Sequence, residues 1–245
     1  MTENYASRSL IALFVILLSI APSQHAFGDT AALEQVRKKD LKVTLGSIKE
    51  TKSGFLTTTS AKSRAVEKAS SASAAQLQFR YRGSSKKLTA PGSNGTIKRQ
   101  IGLKMRAKDT CNLLYVMWEI ERMQVRPDGA RDHRSSREKI VVLVKRNPGE
   151  STHKSCGTDG YQTIATVYQD DKSRGFASAK DKKGHRLRAE LSPNSRSGYD
   201  LLVYVDGAEV WDGRISHSLL HDIDGPAGIR TDNGSFIFKL YTGDQ

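Results

Sequence analysis

From Ala75 onward, short stretches rich in β-branched and aromatic residues alternate with clusters of Gly, Asn, Asp, Pro and Ser. No other feature of the sequence restricts the fold as much. Side chains alternate across a strand, so a period of two marks a sheet with one buried face, and the intervening clusters supply turns. The pattern predicts strands over Gln76–Arg82, Arg99–Arg106, Asn112–Met123, Lys139–Arg146, Thr163–Gln169, His185–Leu191, Tyr199–Val205, Glu209–Trp211 and Ser235–Tyr241. Asp206-Gly207 supplies the positive φ angles that a two-residue hairpin demands, and Asn233-Gly234 does the same before the final strand. Helix is expected only as a turn or two around Ser216–Asp222. Short strands without helices between them imply antiparallel pairing, so residues 75–245 are expected to form one all-β, two-sheet sandwich.

The N-terminal region reads differently. Ser9–Ala21 is almost wholly apolar, follows the basic Arg8, and gives way at once to Pro22, Ser23 and Gln24. Such a run is shorter than the roughly 20 residues a membrane-crossing helix needs, and it has the layout of a signal peptide. Ala26 and Gly28 are small residues at the two positions a signal peptidase inspects, so residues 1–28 are expected to be cleaved. The mature protein would then be secreted or periplasmic, with no transmembrane segment. Residues 29–74 are rich in Lys, Ser, Thr and Ala with few large apolar side chains, and Leu33, Val36 and Leu41 could line one side of a short helix. The segment reads as a flexible basic low-complexity arm or linker.

The formal net charge is +13, and residues 1–28 remove only Glu3 and Arg8, whose charges cancel. A polycation outside the cytosol favours acidic polysaccharide or another anionic surface. Specific nucleic-acid binding is not expected, because no recognition module accompanies the charge. The chain has two cysteines, Cys111 and Cys156. In an oxidising compartment a single disulfide between them is the economical pairing.

Splitting the strands by parity gives candidate site residues. In the Asn112 strand, Leu114, Val116, Trp118 and Ile120 form a core row, while Tyr115, Met117, Glu119 and Glu121 face the other way. The His185 strand turns His185, Leu187, Ala189 and Leu191 inward and Arg186, Arg188 and Glu190 outward, and the Tyr199 strand turns Leu202 and Tyr204 outward. A shared non-core face would set tyrosines among arginines and carboxylates. Tyrosine offers sugar C–H groups a flat apolar ring, and Arg makes planar contacts to carboxylate or sulfate. Tyr115, Glu119, Glu121, Arg186, Arg188 and Tyr204 are therefore the expected ligand-binding set. The alternative is that these charges pair with one another across strands.

The strings GHRLRAEL, YDLLVYVDGAEVWDG and GPAGIRTDNGSFIFKLYTG carry a likeness to known domains. Val205, Asp206, Gly207 and Val210, then Gly225, Pro226, Gly228, Ile229 and Arg230, then Phe236 and Phe238, resemble the closing strands of a concanavalin A-like, laminin-G-like jelly roll. The resemblance covers residues 183–242 well, about the C-terminal third, and residues 75–170 only by strand count. It implies a jelly-roll sandwich and raises the expectation of carbohydrate binding, since that fold hosts lectins, sugar hydrolases, polysaccharide lyases and adhesion modules.

No catalytic residues are assigned. Glu119 and Glu121 stand two apart on one face, as a retaining glycosidase requires, but the E-x-D-x-x-E pattern of laminarinase-type glucanases is not reproduced. The Q-I-H and Y-F-K-A-G-x-Y strands of alginate lyases are absent, and His185 reads as a core histidine with a satisfied hydrogen bond. No metal ligands or cofactors are assigned, although Asp222, Asp224 and the Asp232-Asn233 turn could hold calcium. The expectation is a secreted carbohydrate-binding module favouring an anionic polysaccharide. Its rivals are a lyase or glycoside hydrolase of the same fold, and a structural surface protein without a small ligand.

Overall fold

The computed structural model describes residues 32–68, 71–89, 96–125, 131–132, 137–195 and 198–244. The expected signal peptide lies outside them. In chain order the strands are β1 (Glu34–Gln35), β2 (Leu41–Leu45), β3 (Lys49–Thr51), β4 (Gly54–Thr57), β5 (Lys62–Glu67), β6 (Ala74–Ser84), β7 (Thr96–Met105) and β8 (Leu113–Val125). They continue with β9 (Arg131–Asp132), β10 (Lys139–Lys145), β11 (Tyr161–Tyr168), β12 (His185–Asn194), β13 (Gly198–Val205), β14 (Ala208–Ser216), β15 (Gly228–Asp232) and β16 (Gly234–Gly243). The first sheet has the order β14-β13-β12-β6-β16-β4-β3, with β1 also on β16. The second has the order β11-β10-β8-β7-β15-β5-β2, with β9 on β8. All pairings are antiparallel, as the strand pattern implied.

Alternate residues of the two sheets meet in one continuous core. Ile101, Leu103, Leu114, Val116, Trp118, Ile140 and Val142 of the second sheet join Leu77, Phe79, Leu187, Leu201, Phe236 and Phe238 of the first. Trp118 sits edge-on to Phe79 and Phe176, and its indole N–H donates to Glu138 at 2.9 Å, so its polar atom is satisfied where it is buried. The disulfide joins Cys111 to Cys156 beside a short helix, α1 (His153–Cys156). Closing a loop with a sequence separation of 45 contributes about 4 kcal/mol in the chain-entropy model.

Three expectations need correction. The segment expected as an arm supplies β1 to β5, which lie in both sheets. Its alternation is hidden because Thr57, Ser63 and Ala65 fill inward positions where a larger apolar residue would have announced a strand. Val36 and Leu41 are buried in the core on either side of one short 3-10 turn, Lys38–Asp40, which has no buried residue of its own, where a helix with an apolar side was expected. Next, β15 was unread, because its flanks are rich in Gly, Pro, Asp and Asn; it turns Ile229 and Thr231 inward. Finally, Asn233 does take a positive φ of 55°. Yet it joins β15 in the second sheet to β16 in the first, so it marks a crossover rather than a hairpin. Asp206-Gly207, with φ of 54° and 94°, does close the β13–β14 hairpin, and α2 (His217–Leu220) lies where helix was expected.

Candidate functional site

Parity assigns a residue to the core or to an outer face, but not to a sheet, and the expected site divides for that reason. Arg186, Arg188 and Tyr204 lie on the outer face of the first sheet, with Arg188 directly opposite Tyr204. Tyr115, Glu119 and Glu121 belong to β8 in the second sheet. The six residues therefore share no single face. Arg188 is ion-paired with Glu190 two residues along its own strand, a pairing within one strand rather than across neighbouring ones. Arg186 lines a hollow of about 470 Å³ with Gln78, Arg80 and Lys239.

Glu119 and Glu121 are committed to cations. Arg122 donates to both oxygens of Glu119 at 2.9 and 3.2 Å, and Lys98 and Lys139 stand at 3.4 and 3.7 Å. Burial would raise the Glu119 pKa, but these cations outweigh it and hold the carboxyl below its ordinary value. An ionised, triply neutralised carboxylate cannot serve as the acid of a glycosidase pair. Glu121 pairs with Arg99.

His185 is the satisfied core histidine the sequence suggested. Its Nδ1 meets Asp206 and its Nε2 meets Asp181, both at 2.9 Å. Burial disfavours the charged ring, but the two carboxylates outweigh it and raise the pKa. The stabilisation from these pairs is therefore full below the ordinary histidine value of about 6.5 and is lost as pH rises through the higher folded value. Thermal melts from about pH 5 to about pH 9 should show that decline, and His185→Gln should flatten it. An unchanged pH profile in the variant would contradict the assignment.

A different cluster emerges on the outer face of the second sheet. The pairing register sets Tyr115, Lys104, Gly228 and Val66 side by side across β8, β7, β15 and β5. The next row holds Met117, Gly102, Arg230 and Arg64, and the one after it Glu119, Gln100, Asp232 and Lys62. Gly102 permits a close approach of strands, since a Cβ there would lie 2.2 Å from the Val116 carbonyl oxygen.

Asp232 organises these residues. Arg64 and Gln100 each donate to it at 2.6 Å, and Arg230 Nε donates at 2.9 Å. Burial works against its charge, but Arg230 and Arg64 hold the carboxyl far below the usual range. The second arm of Arg230 donates to the Tyr161 hydroxyl at 2.9 Å, and its guanidinium lies 5.0 Å from the Tyr115 ring centre. Burial chiefly pushes the Tyr115 hydroxyl up to about 12, and the Tyr115 ring centre lies 6.2 Å from that of Tyr161. Burial would raise Tyr161 too, but Arg230, Lys145 and the Tyr115 hydroxyl lower it. Lys145 is fully buried, donates to the Gly157 carbonyl at 2.9 Å and to the Cys156 sulfur at 3.0 Å, and lies 5.1 Å from the Tyr161 ring centre. The disulfide thus braces the residue beneath Tyr161.

Lys104 stands apart from this network. Its exposure is 3%, and it has no hydrogen bond or ion pair among the described residues. Burial, with Arg64 and Arg230 nearby, lowers its pKa to about 7. Two guanidiniums share the Asp232 carboxylate, and the Lys104 amine stands near them without one, so the cluster suits an anion.

Of this set, sequence reading had named only Tyr115 for binding. Arg64 lies in the segment expected as an arm, Arg230 in the element that resembles the closing jelly-roll strands, and Asp232 in a turn that could hold calcium. Lys104 fell on the outer side of a predicted strand, and a basic residue in that setting was the available signal. Asp232 is taken by arginines, Asp222 pairs with Arg146 and Asp224 with Arg106. Among the described residues no group of three His, Cys, Asp or Glu is placed to hold a metal ion.

No family model matches the sequence, and no curated protein matches it. Solved structures do share the fold. The carbohydrate binding module CBM66 from Bacillus subtilis has a TM-score of 0.51 at 13% identity, covering 84% of this chain and 96% of that one. The Emp46p carbohydrate recognition domain has a TM-score of 0.46 at 15% identity, over 84% of this chain and 88% of its own. An alginate lyase, Aly36B, in complex with alginate trisaccharide, has a TM-score of 0.44 at 10% identity, over 87% and 94% of the two chains. The likeness to the carbohydrate binding module, at a TM-score of 0.51, shows a shared β-sandwich fold, and its coverage of 84% of this chain extends well beyond the C-terminal third.

Proposed function

We propose that this protein binds an acidic polysaccharide on the outer face of its second sheet, with a sugar carboxylate or sulfate seated against Lys104 and Arg230 and a ring lying over the half-exposed Tyr161. The observation that carries this reading is Lys104, a buried amine without an acidic partner among the described residues, set beside two guanidiniums. A buried charge is costly unless it is paired, so a face built this way is organised for a negative group from outside the chain. The structural likeness to a carbohydrate binding module supports a sugar as the bearer of that group. The leader-like N-terminus and the disulfide support a secreted or periplasmic setting, where such polymers are met.

Isothermal titration of the mature protein with polyuronate and with sulfated polysaccharide tests the reading. Lys104→Met should weaken binding by about 1.5 to 3 kcal/mol, the value of a charge-assisted contact, and should leave thermal stability equal or higher because an unpaired buried charge is removed. Arg188→Ala should spare binding and lower stability. Added salt should weaken the wild-type interaction. Equal affinity of the wild type and Lys104→Met would contradict the proposal.

A further inference from the structure

We infer that two copies of this protein associate through β11, whose free edges pair antiparallel about a two-fold axis and join the two second sheets into one. The inference goes beyond the acidic-polysaccharide reading and does not depend on it.

β11 ends the second sheet: it pairs with β10 on one side, and among the described residues no strand pairs with the other. An open edge presents unpaired backbone N–H and C=O groups, and a monomer ordinarily blunts it with charge or proline. The other strands that end the two sheets are protected in this way. β14 carries Glu209, Asp212 and Arg214, β3 carries Lys49 and Glu50, and β2 carries Lys42. β11 reads YQTIATVY, with no charged residue and no proline, in a chain of which 27% is charged. It is also apolar where it meets solvent. Leu45, Tyr161 and Tyr168 are the exposed large hydrophobic residues among those described, and the two tyrosines stand at the two ends of this strand, at 40% and 42% exposure.

The partner is a second copy because the strand is complementary to itself. Tyr161 lies opposite Lys145, Thr163 opposite Leu143, Thr166 opposite Val141 and Tyr168 opposite Lys139, and all four belong to the outer face that β10 shares with Tyr115 and Glu119 of β8. The bulge that leaves Ile164 unmatched keeps them there, since positions 163 and 166 of a regular strand face opposite ways. The outer row therefore reads Tyr, Thr, Thr, Tyr, the same in both directions. A two-fold axis between Ile164 and Ala165 sets Tyr161 against Tyr168 of the other copy and Thr163 against Thr166, while Gln162 meets Val167 on the inner side. Face agrees with face at each of these positions, and the two bulges fall opposite each other. Aromatic pairs and threonine pairs facing one another across strands stabilise a ladder, and a contact of this isologous kind closes at two copies. An unrelated extended peptide would use the backbone groups of the edge but would leave the symmetric row unanswered. The pairing also brings the second copy's Tyr168 beside Tyr161, so the two proposed ligand faces lie on one continuous sheet.

Sedimentation equilibrium of the mature chain over a wide range of concentrations tests this. The wild type should pass from the mass of one chain to a limit of two. Thr163→Lys combined with Thr166→Lys sets like charges directly opposite each other twice, and it should weaken the association about tenfold or more. Both positions are exposed, so that variant should melt as the wild type does. Adding the chain that carries Thr163→Glu and Thr166→Glu should draw the lysine variant back into dimers, because opposite charges then meet; a variant that had merely misfolded would not respond. A wild type that stays monomeric throughout would overturn the inference, and so would assembly past two copies or a dimer undiminished in the lysine variant. Failure of the two variants to form mixed dimers would overturn the two-fold register.

Discussion

A chain started at residue 75 is expected to remain unfolded, although sequence reasoning draws the domain boundary there. Removing residues 29–74 takes away β1 to β5, so β15 loses β5 and β16 loses both β1 and β4. The core loses Val36, Leu41, Phe55 and Ala65. Losing a buried aliphatic side chain costs about 2 to 5 kcal/mol and losing a buried Phe about 3 to 5. Three such losses together reach the whole stability of a typical domain, about 5 to 15 kcal/mol, before the newly exposed strand edges are considered. Circular dichroism melts and proton spectra of residues 75–245 against 29–245 check this. The truncated chain should show no cooperative transition, and one within a few degrees of the longer chain would refute it.

Asp232→Ala should be the most damaging single substitution on the outer face of the second sheet, at about 3 to 5 kcal/mol. The carboxylate is buried and satisfies Arg64, Arg230 and Gln100 together, so its removal leaves two guanidiniums without their counter-charge. Its strongly lowered pKa fixes the sign of the pH dependence. The stabilisation is present above the unfolded aspartate value of about 3.9 and is lost only as pH falls through the much lower folded value. The wild type should therefore keep this contribution in mild acid. Urea unfolding of the wild type and variant measures the difference, and a loss under about 1 kcal/mol would show that Arg64 and Arg230 find other partners.

What the sequence disclosed follows from how each signal arises. Period-two alternation needs large apolar residues on one face, so β6, β8, β10, β12, β13 and β16 were legible. In β4 and β5 the inward positions include Thr57, Ser63 and Ala65, and there the signal vanished. Glycine and proline around β15 break its alternation, so no strand is read there and the shared outward row of Arg230 and Asp232 goes unseen. Parity turns Arg188 and Tyr204 outward, but only the pairing register sets them opposite each other, and strand order alone decides that Tyr115 belongs to the other sheet. Lys104 was hidden for a further reason. Its significance comes from burial beside Arg64 and Arg230, which are 40 and 126 positions away in the chain.

Mapping by nuclear magnetic resonance of an oligo-uronate on the mature protein tests the central claim most directly, since each face has its own set of residues. Binding as described should shift the signals of Arg64, Lys104, Tyr115, Tyr161, Gly228 and Arg230 and leave the first sheet unmoved. Shifts confined to Arg80, Arg186, Arg188, Tyr204 and Lys239, with Lys104 silent, would place the ligand on the opposite side of the sandwich and contradict the account.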